Sequence, residues 1–207
     1  MAATFCSGKA SRFESKKREH HGRPAFRSLT LPLRNVISSS FTKRTHFREH
    51  KKGLLKVRVF FHGKCFDGTA SAALFSRFYR ERIRSEVDFQ FTGLVHRAGA
   101  LFNEADFDGD ENAIVDFKYS ASPRITWWFD HHQSAFLSPQ DAEHYRNGDK
   151  RQKFFDPEFK SCTKFLAQIA QQKFGFDPRP VDELIRWADI IDGAQFKSPQ
   201  EAGGDGY

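Results

Sequence analysis

One short stretch decides the fold: Trp127-Trp128-Phe129-Asp130-His131-His132. Its aromatic residues predict the end of a buried β-strand, and a carboxylate and two imidazoles follow directly. Polar groups crowded at the end of a buried strand are either held by partners or used for chemistry. The same pattern occurs where residues 59–61 run into His62 and where residues 113–115 run into Asp116. Three such strand ends predict one convergent metal site.

The composition indicates a soluble protein with one folded domain. The 207 residues suffice for an α/β domain with an apolar core plus an extension. No apolar stretch approaches the roughly 20 residues that a membrane span needs, so we expect a cytoplasmic protein with no membrane partner. The 3 cysteines are too few and too scattered for a disulfide framework or a zinc ribbon.

The positive charge belongs to the N-terminal segment. Residues 1–53 hold 13 Lys and Arg against 3 Asp and Glu, whereas the remaining residues hold 20 against 23. We expect residues 1–53 to be a disordered basic extension and residues 54–207 to be the folded domain. The extension has four interpretations that the sequence leaves open: an organelle transit peptide, a solvated arm, an arm with weak nucleic-acid contact, or sequence upstream of the true start.

Apolar periodicity predicts alternating strands and helices in the folded domain. We expect strands over residues 55–61, 87–94, 113–117 and 125–129, and helices over 68–83, 162–174 and 181–192. Residues 107–112 and 137–160 are polar and predict loops. The alternation indicates an α/β fold with a parallel, doubly wound sheet flanked by helices. Ligands of such sheets bind beyond the carboxyl ends of the strands, which is where the unusual polar residues are expected.

Several of these residues also have purely structural interpretations. Asp116 could cap the turn after its strand, and His62 could be an ordinary loop histidine. Asp67 could be the N-cap of the helix that follows it. The functional alternative is that Gly68 lets a ligand approach the backbone, at a helix N-terminus that favours a phosphate.

The tripeptide Asp130-His131-His132 is the most specific element. Because neighbouring residues at a strand end point different ways, one imidazole can bind metal while the other faces substrate, with Asp130 as an orienting partner. Asp192 ends the last predicted helix, where the helix dipole disfavours a carboxylate and a cation would compensate. Mixed carboxylate and imidazole ligands suit Mn²⁺, with Mg²⁺ as an alternative. Such ions would activate a water for in-line attack on phosphorus.

Four segments together resemble the motifs of the DHH phosphoesterase superfamily, which is named for its Asp-His-His tripeptide. They are residues 62–72 (HGKCFDGTASA), 113–116 (AIVD), 129–132 (FDHH) and 192–196 (DGAQF). That superfamily includes manganese-dependent pyrophosphatases, exopolyphosphatases, single-strand exonucleases and nanoRNases. Four motifs in the right order are far more specific than any one of them.

The resemblance implies a hydrolase that acts on phosphate ester or anhydride bonds with one or two Mn²⁺ or Mg²⁺ ions. Its substrate would be a phosphorylated small molecule or a short oligonucleotide. The implied metal ligands are His62, Asp67, Asp116, His131 and Asp192. Asp116 would bridge the ions, His132 would face the substrate phosphate as the catalytic residue, and Asp130 would orient an imidazole.

Two departures from the family pattern are visible. Many members have two aspartates in the first motif, and Cys65 stands in place of the earlier one, either as a soft ligand or at a weak or vacant metal position. Members also carry a C-terminal substrate-binding domain, whereas this chain stops at Tyr207. Besides a phosphoesterase, the sequence therefore leaves open a non-catalytic nucleotide- or nucleic-acid-binding module, or a truncated product that lacks half of its site.

Overall fold

The computed structural model describes residues 53–98 and 100–203. The expected disordered extension therefore lies outside the described residues, except for Gly53, and so do residues 204–207 at the other end. All of the predicted site residues fall within the described part of the chain.

Strands and helices alternate along the described chain. The strands are β1 (Leu55–His62), β2 (Val87–Leu94), β3 (Glu111–Val115), β4 (Ile125–Asp130) and β5 (Lys153–Phe155). The α-helices are α1 (Phe66–Arg82), α2 (Pro139–Asn147), α3 (Cys162–Phe174), α4 (Asp182–Asp192) and α5 (Pro199–Gly203). Short 3₁₀ turns cover Glu104–Asp106 and Arg179–Val181. Over residues 53–98 and 100–203, no helix combines the length and the apolar character needed to cross a membrane.

The five strands form one parallel sheet in the order β2-β1-β3-β4-β5, which confirms the predicted α/β class. The chain runs outward from β1 to β2 and then returns to the opposite side of β1 to form β3. The strand order therefore reverses between β1 and β3. Open α/β sheets bind their ligands at such a switch point, beyond the carboxyl ends of the strands.

Alternate residues of the central strands pack on opposite faces of the sheet. On one face, Val57, Val59 and Trp127 pack in a buried cluster with apolar residues of α1 and α3. On the other face, Phe60, Ile114 and Trp128 pack beneath the connecting segments and α2. Because both faces are covered, the carboxyl edge of the sheet is left as the place where polar residues can gather.

The prediction of a loop over residues 137–160 is wrong, because this segment contains α2 and β5. Ser138 is the N-cap of helix α2, and its Oγ accepts the amide of Asp141 at 3.1 Å. Among the described residues of this helix, only Tyr145 packs against the apolar cluster beneath it. One apolar residue cannot produce a helical hydrophobic period. Strand β5 has 3 residues, too few to show alternation, and it is specified by pairing with β4.

The boundaries of β3 also differ from the prediction. The strand begins at Glu111, two residues early, and ends at Val115 instead of residue 117. Asp116 leaves the strand with a φ of 56°, a left-handed conformation that β-strands do not use. Asp116 therefore leaves the regular backbone of the sheet directly after β3.

Three apolar residues within or next to the predicted elements are exposed. Ile83 is 38% exposed because it is the C-cap of α1, and Phe91 is 50% exposed on β2, an edge strand. Ile191 is 37% exposed on α4, which packs on α1 and α3. The edge strand and the outer helix each bury only part of their apolar faces.

Candidate metal centre

Side chains from three strand ends and two helices meet at the carboxyl edge of the sheet. His62 ends β1, and Asp116 directly follows β3 at the switch point. His131 and His132 follow β4. The remaining two predicted residues lie on helices, Asp67 in the first turn of α1 and Asp192 at the end of α4.

Asp116 lies at the centre of this group. Its side chain is 1% exposed, and its two oxygens face different imidazoles. Oδ1 lies 3.3 Å from Nε2 of His131, and Oδ2 lies 3.6 Å from Nδ1 of His62. Neither oxygen has a hydrogen-bond partner within the described chain. Although burial opposes it, contact with these imidazoles keeps the pKa of Asp116 below its usual value.

His131 presents one ring nitrogen to three carboxylates. Its Nδ1 lies 3.1 Å from the carbonyl oxygen of Phe159, which can only accept a hydrogen bond, so Nδ1 carries the proton. Nε2 then faces Asp116, Asp192 at 3.4 Å and Asp67 at 3.7 Å. Burial lowers the pKa of His131, but the contacts with Asp116 and the Phe159 carbonyl outweigh burial and raise the pKa to about 9. Metal-binding histidines are fixed by such a hydrogen bond from the other nitrogen.

His132 is held by the residue that begins the tripeptide. Oδ1 of Asp130 lies 2.7 Å from Nδ1 of His132 and also accepts the backbone amides of His131 and His132. This hydrogen bond raises the pKa of His132, and burial raises the pKa of Asp130. The His132 side chain remains 33% exposed, so its ring is accessible from outside the site.

Asp67 joins the site to α3. Its carboxylate accepts the backbone amides of Cys162 at 2.6 Å and Thr163 at 3.0 Å. Asp67 therefore caps α3, and the alternative that it is the N-cap of its own helix is wrong: Cys65 occupies that position in α1. Burial and the nearby carboxylate of Asp116 raise the pKa of Asp67 to about 7.

Gly68 is required by close packing between α1 and β1. A Cβ at this position would lie 2.2 Å from the carbonyl oxygen of His62 and 2.8 Å from the His62 Cβ. Any other residue would therefore push α1 away from the strand end. The hypothesis that Gly68 also admits a phosphate remains a prediction.

The donor atoms fall into three groups in which all members lie within 4.8 Å of one another. The groups are His62 with Cys65 and Asp116, Asp116 with His131 and His132, and Asp67 with His131 and Asp192. Within residues 53–98 and 100–203, His62 Nδ1, both Asp116 oxygens and His131 Nε2 are buried without a hydrogen-bond partner. Buried polar atoms are normally paired, so these orphaned atoms fit a cation, and the buried Asp and His groups could hold a metal ion.

Two further residues lie near this centre: His96, which was not predicted, and Cys65, which the sequence left open as a soft ligand. The ring of His96 lies 4.9 Å from that of His62 and stacks on Phe117 at 4.9 Å. His96 also follows a strand, β2, at the same edge of the sheet. Because Val95 separates it from the end of the strand, the sequence does not show an imidazole directly after the strand. Cys65 lies in the group with His62, and its thiol pKa is raised by burial and by nearby carboxylates. Because the raised pKa favours the neutral thiol, Cys65 is poorly suited to act as a nucleophile.

Asp189 is a nearby carboxylate that pairs with a lysine and does not join the donor groups of the centre. It lies on α4 one turn before Asp192, but its Oδ2 pairs with Nζ of Lys164 at 2.6 Å. It belongs to none of the three donor groups found in the described residues. Asp189 therefore connects α4 to α3, and Asp192 is the carboxylate of this helix that reaches the centre.

No protein-family model and no curated protein matches the chain.

Proposed function

We propose that the domain is a metal-dependent phosphoesterase of the DHH type, which hydrolyses a phosphodiester or a phosphoanhydride by metal-activated water. The observation that carries this proposal is the state of Asp116. Both of its oxygens are buried without hydrogen bonds between two imidazoles, in a fold that binds ligands at this edge. A buried carboxylate in this state is costly unless a cation accompanies it.

The donor set supports one or two hard divalent ions. Carboxylate and imidazole donors suit Mn²⁺, with Mg²⁺ as the alternative. Asp116 belongs both to the group with His62 and to a group with His131, so its two oxygens can serve two ions. When bound, such ions neutralise phosphoryl charge and bring the pKa of a water close to neutrality.

The residues of the tripeptide have different proposed roles: His131 binds metal, His132 acts in catalysis and Asp130 orients His132. Asp130 accepts the Nδ1 proton of His132, which leaves Nε2 as the nitrogen available to substrate. Because Asp130 also raises the pKa of His132, the ring carries a second proton more readily at neutral pH. A protonated ring can donate a hydrogen bond to a phosphoryl oxygen and a proton to the leaving group.

The basic residues near the centre favour an anionic substrate. Lys64 follows β1 and is exposed, and Lys118 is two residues beyond Asp116. Positive groups around a binding site attract phosphate-bearing molecules. We therefore propose a phosphorylated small molecule or a short oligonucleotide as the substrate, with the basic residues 1–53 as a source of weak nucleic-acid contact.

The first experiment compares the wild-type protein with Asp116→Asn. Release of phosphate or nucleotide is measured with Mn²⁺ on pyrophosphate, polyphosphate, short oligonucleotides and cyclic dinucleotides. We expect activity on at least one class, and a loss of roughly 10³-fold or more in the variant, since one carboxylate serves both ions. Equal activity of the two proteins, or activity that survives thorough chelation, would overturn the proposal.

A matched pair of variants on α4 distinguishes the loss of a site carboxylate from a general disturbance of the helix. Asp192→Asn removes a carboxylate that lies 3.4 Å from His131 Nε2, whereas Asp189→Asn removes the partner of Lys164. We expect Asp192→Asn to weaken Mn²⁺ binding and activity and Asp189→Asn to retain both. Salt-sensitive oligonucleotide binding with no hydrolysis, unchanged in Asp116→Asn, would instead indicate a binding module.

A further inference from the structure

Cys65 places a thiol beside the central carboxylate of the site. Its sulfur, a ring nitrogen of His62 and an oxygen of Asp116 all lie within 4.8 Å of one another. Cys65 is a half-buried free cysteine in the N-cap position of α1, and its side chain makes no capping hydrogen bond.

The two residues opposite the thiol have unpaired polar atoms. Asp116 is 1% exposed, and its Oδ2, which faces His62, has no hydrogen-bond partner in the described part of the chain. His62 Nδ1 is also buried and unpartnered there. A sulfur, a nitrogen and an oxygen therefore lie close enough together to bind one ion, and the nitrogen and the oxygen have no hydrogen-bond partner in the described residues. This is the donor combination that binds Zn²⁺ in proteins.

We propose that Cys65 is a metal ligand, and that His62, Cys65 and Asp116 together bind a thiophilic divalent ion such as Zn²⁺ or Co²⁺. The inference rests on the proposed function, in which Asp116 serves two ions. Sulfur is a soft donor that favours such ions over Mn²⁺ and Mg²⁺.

The second metal position has a different set of donor atoms. Asp67, His131 and Asp192 supply only oxygen and imidazole donors, which suit Mn²⁺ and Mg²⁺. Asp116 belongs to the first position and its Oδ1 lies 3.3 Å from Nε2 of His131 in the second. The two positions differ in softness because only the first includes the thiol. The domain would therefore hold two different metals at once, one thiophilic and one hard.

The test is a Co²⁺ titration of the full-length, metal-free protein under anaerobic conditions, followed by absorption spectroscopy. Thiolate ligation produces a sulfur-to-cobalt charge-transfer band in the near ultraviolet. We expect the band in the wild-type protein and its loss in Cys65→Ser and Cys65→Asp. We also expect Cys65→Asp to lower the preference for Zn²⁺ over Mn²⁺ by roughly tenfold or more, since it replaces a soft donor by a hard one.

Cys162→Ala is the matched control. Cys162 is also near the site, but it is fully buried and its Sγ donates to the carbonyl oxygen of Phe129 at 3.4 Å. The charge-transfer band should survive in this variant. A band that persists in Cys65→Ser and disappears in Cys162→Ala would assign the thiolate to the wrong cysteine and overturn the inference.

A measurement on the wild-type protein does not depend on any variant folding. Bound Zn²⁺ should protect the Cys65 thiol from alkylation, which mass spectrometry of its peptide measures. Co²⁺ that binds without a charge-transfer band, together with unprotected Cys65, would overturn the thiolate ligand and leave the proposed phosphoesterase intact. Failure to bind Co²⁺, Zn²⁺ or Mn²⁺ at all would overturn both proposals.

Discussion

Nδ1 of His132 lies 2.7 Å from Oδ1 of Asp130, two residues earlier in the chain. The same oxygen accepts the backbone amides of His131 and His132, at 2.8 and 3.2 Å. One buried carboxylate oxygen thus fixes both the backbone after β4 and the tautomer of the exposed ring. The residue that holds His132 therefore also positions the backbone of His131, which faces the carboxylates.

Asp130→Asn tests this relationship. The amide keeps the size of the side chain and an acceptor oxygen but removes the charge that raises the pKa of His132. We expect the His132 pKa to fall toward about 6.5 and activity to fall by roughly 10–100-fold. The alkaline limb of the pH–activity profile should move to lower pH, because the protonated ring is lost earlier. The profile and the NMR titration of His132 measure this, and an unchanged alkaline limb would contradict the assigned role.

Metal affinity should depend on pH. In the metal-free site the pKa of His131 is about 9, so at neutral pH a proton must leave Nε2 before a cation binds there. Apparent Mn²⁺ affinity should therefore rise by about tenfold per pH unit from pH 7 toward pH 9. Calorimetry in buffers of different ionisation enthalpy should detect release of at least one proton. Binding that is independent of pH in this range would exclude His131 as a ligand.

The metal-free protein should lose stability as pH rises from 5 to 9. Asp67, with a folded-state pKa of about 7, binds a proton that the unfolded chain has already released, and this stabilising contribution disappears through pH 7. His131 contributes fully below about pH 6.5, its unfolded value, and that contribution disappears as pH rises through about 9. Urea unfolding of the chelated protein at several pH values measures the trend.

Asp67→Asn identifies the part of this trend that belongs to the capping carboxylate. The variant should lose the decline below pH 7 and keep the decline between pH 7 and 9 that comes from His131. A free energy of unfolding that increases from pH 5 to 9 in the metal-free wild type would contradict both assignments.

Gly68→Ala should damage stability and metal binding together. The added Cβ would lie 2.2 Å from the His62 carbonyl oxygen, so α1 or the end of β1 must shift. We expect a loss of roughly 1–3 kcal/mol in the free energy of unfolding and weaker Mn²⁺ binding, because His62 moves. Gly203→Ala in α5 is the control, since a Cβ there meets nothing within 4 Å. Equal stability and metal affinity of the two variants would refute the packing argument.

The main elements could be predicted from the sequence because their signals are local. The apolar runs of β1 and β4 and the helical periods of α1 and α3 depend only on near neighbours. Gly175, which ends α3 with a φ of 65°, is likewise a local signal. Alternation of these elements was enough to predict a parallel sheet. Short elements such as β5 escaped prediction because pairing with β4, and no pattern of their own, specifies them.

The sequence by itself determined which polar residues stand at strand ends, because strand ends are visible as breaks in an apolar run. Only the tertiary structure decided how they are used. Asp67 caps α3, 95 residues further along, and Cys65 shares a donor group with His62 and Asp116. These relationships depend on how distant segments pack against one another, and no local pattern of residues encodes the distance between a sulfur and a carboxylate that belong to different elements.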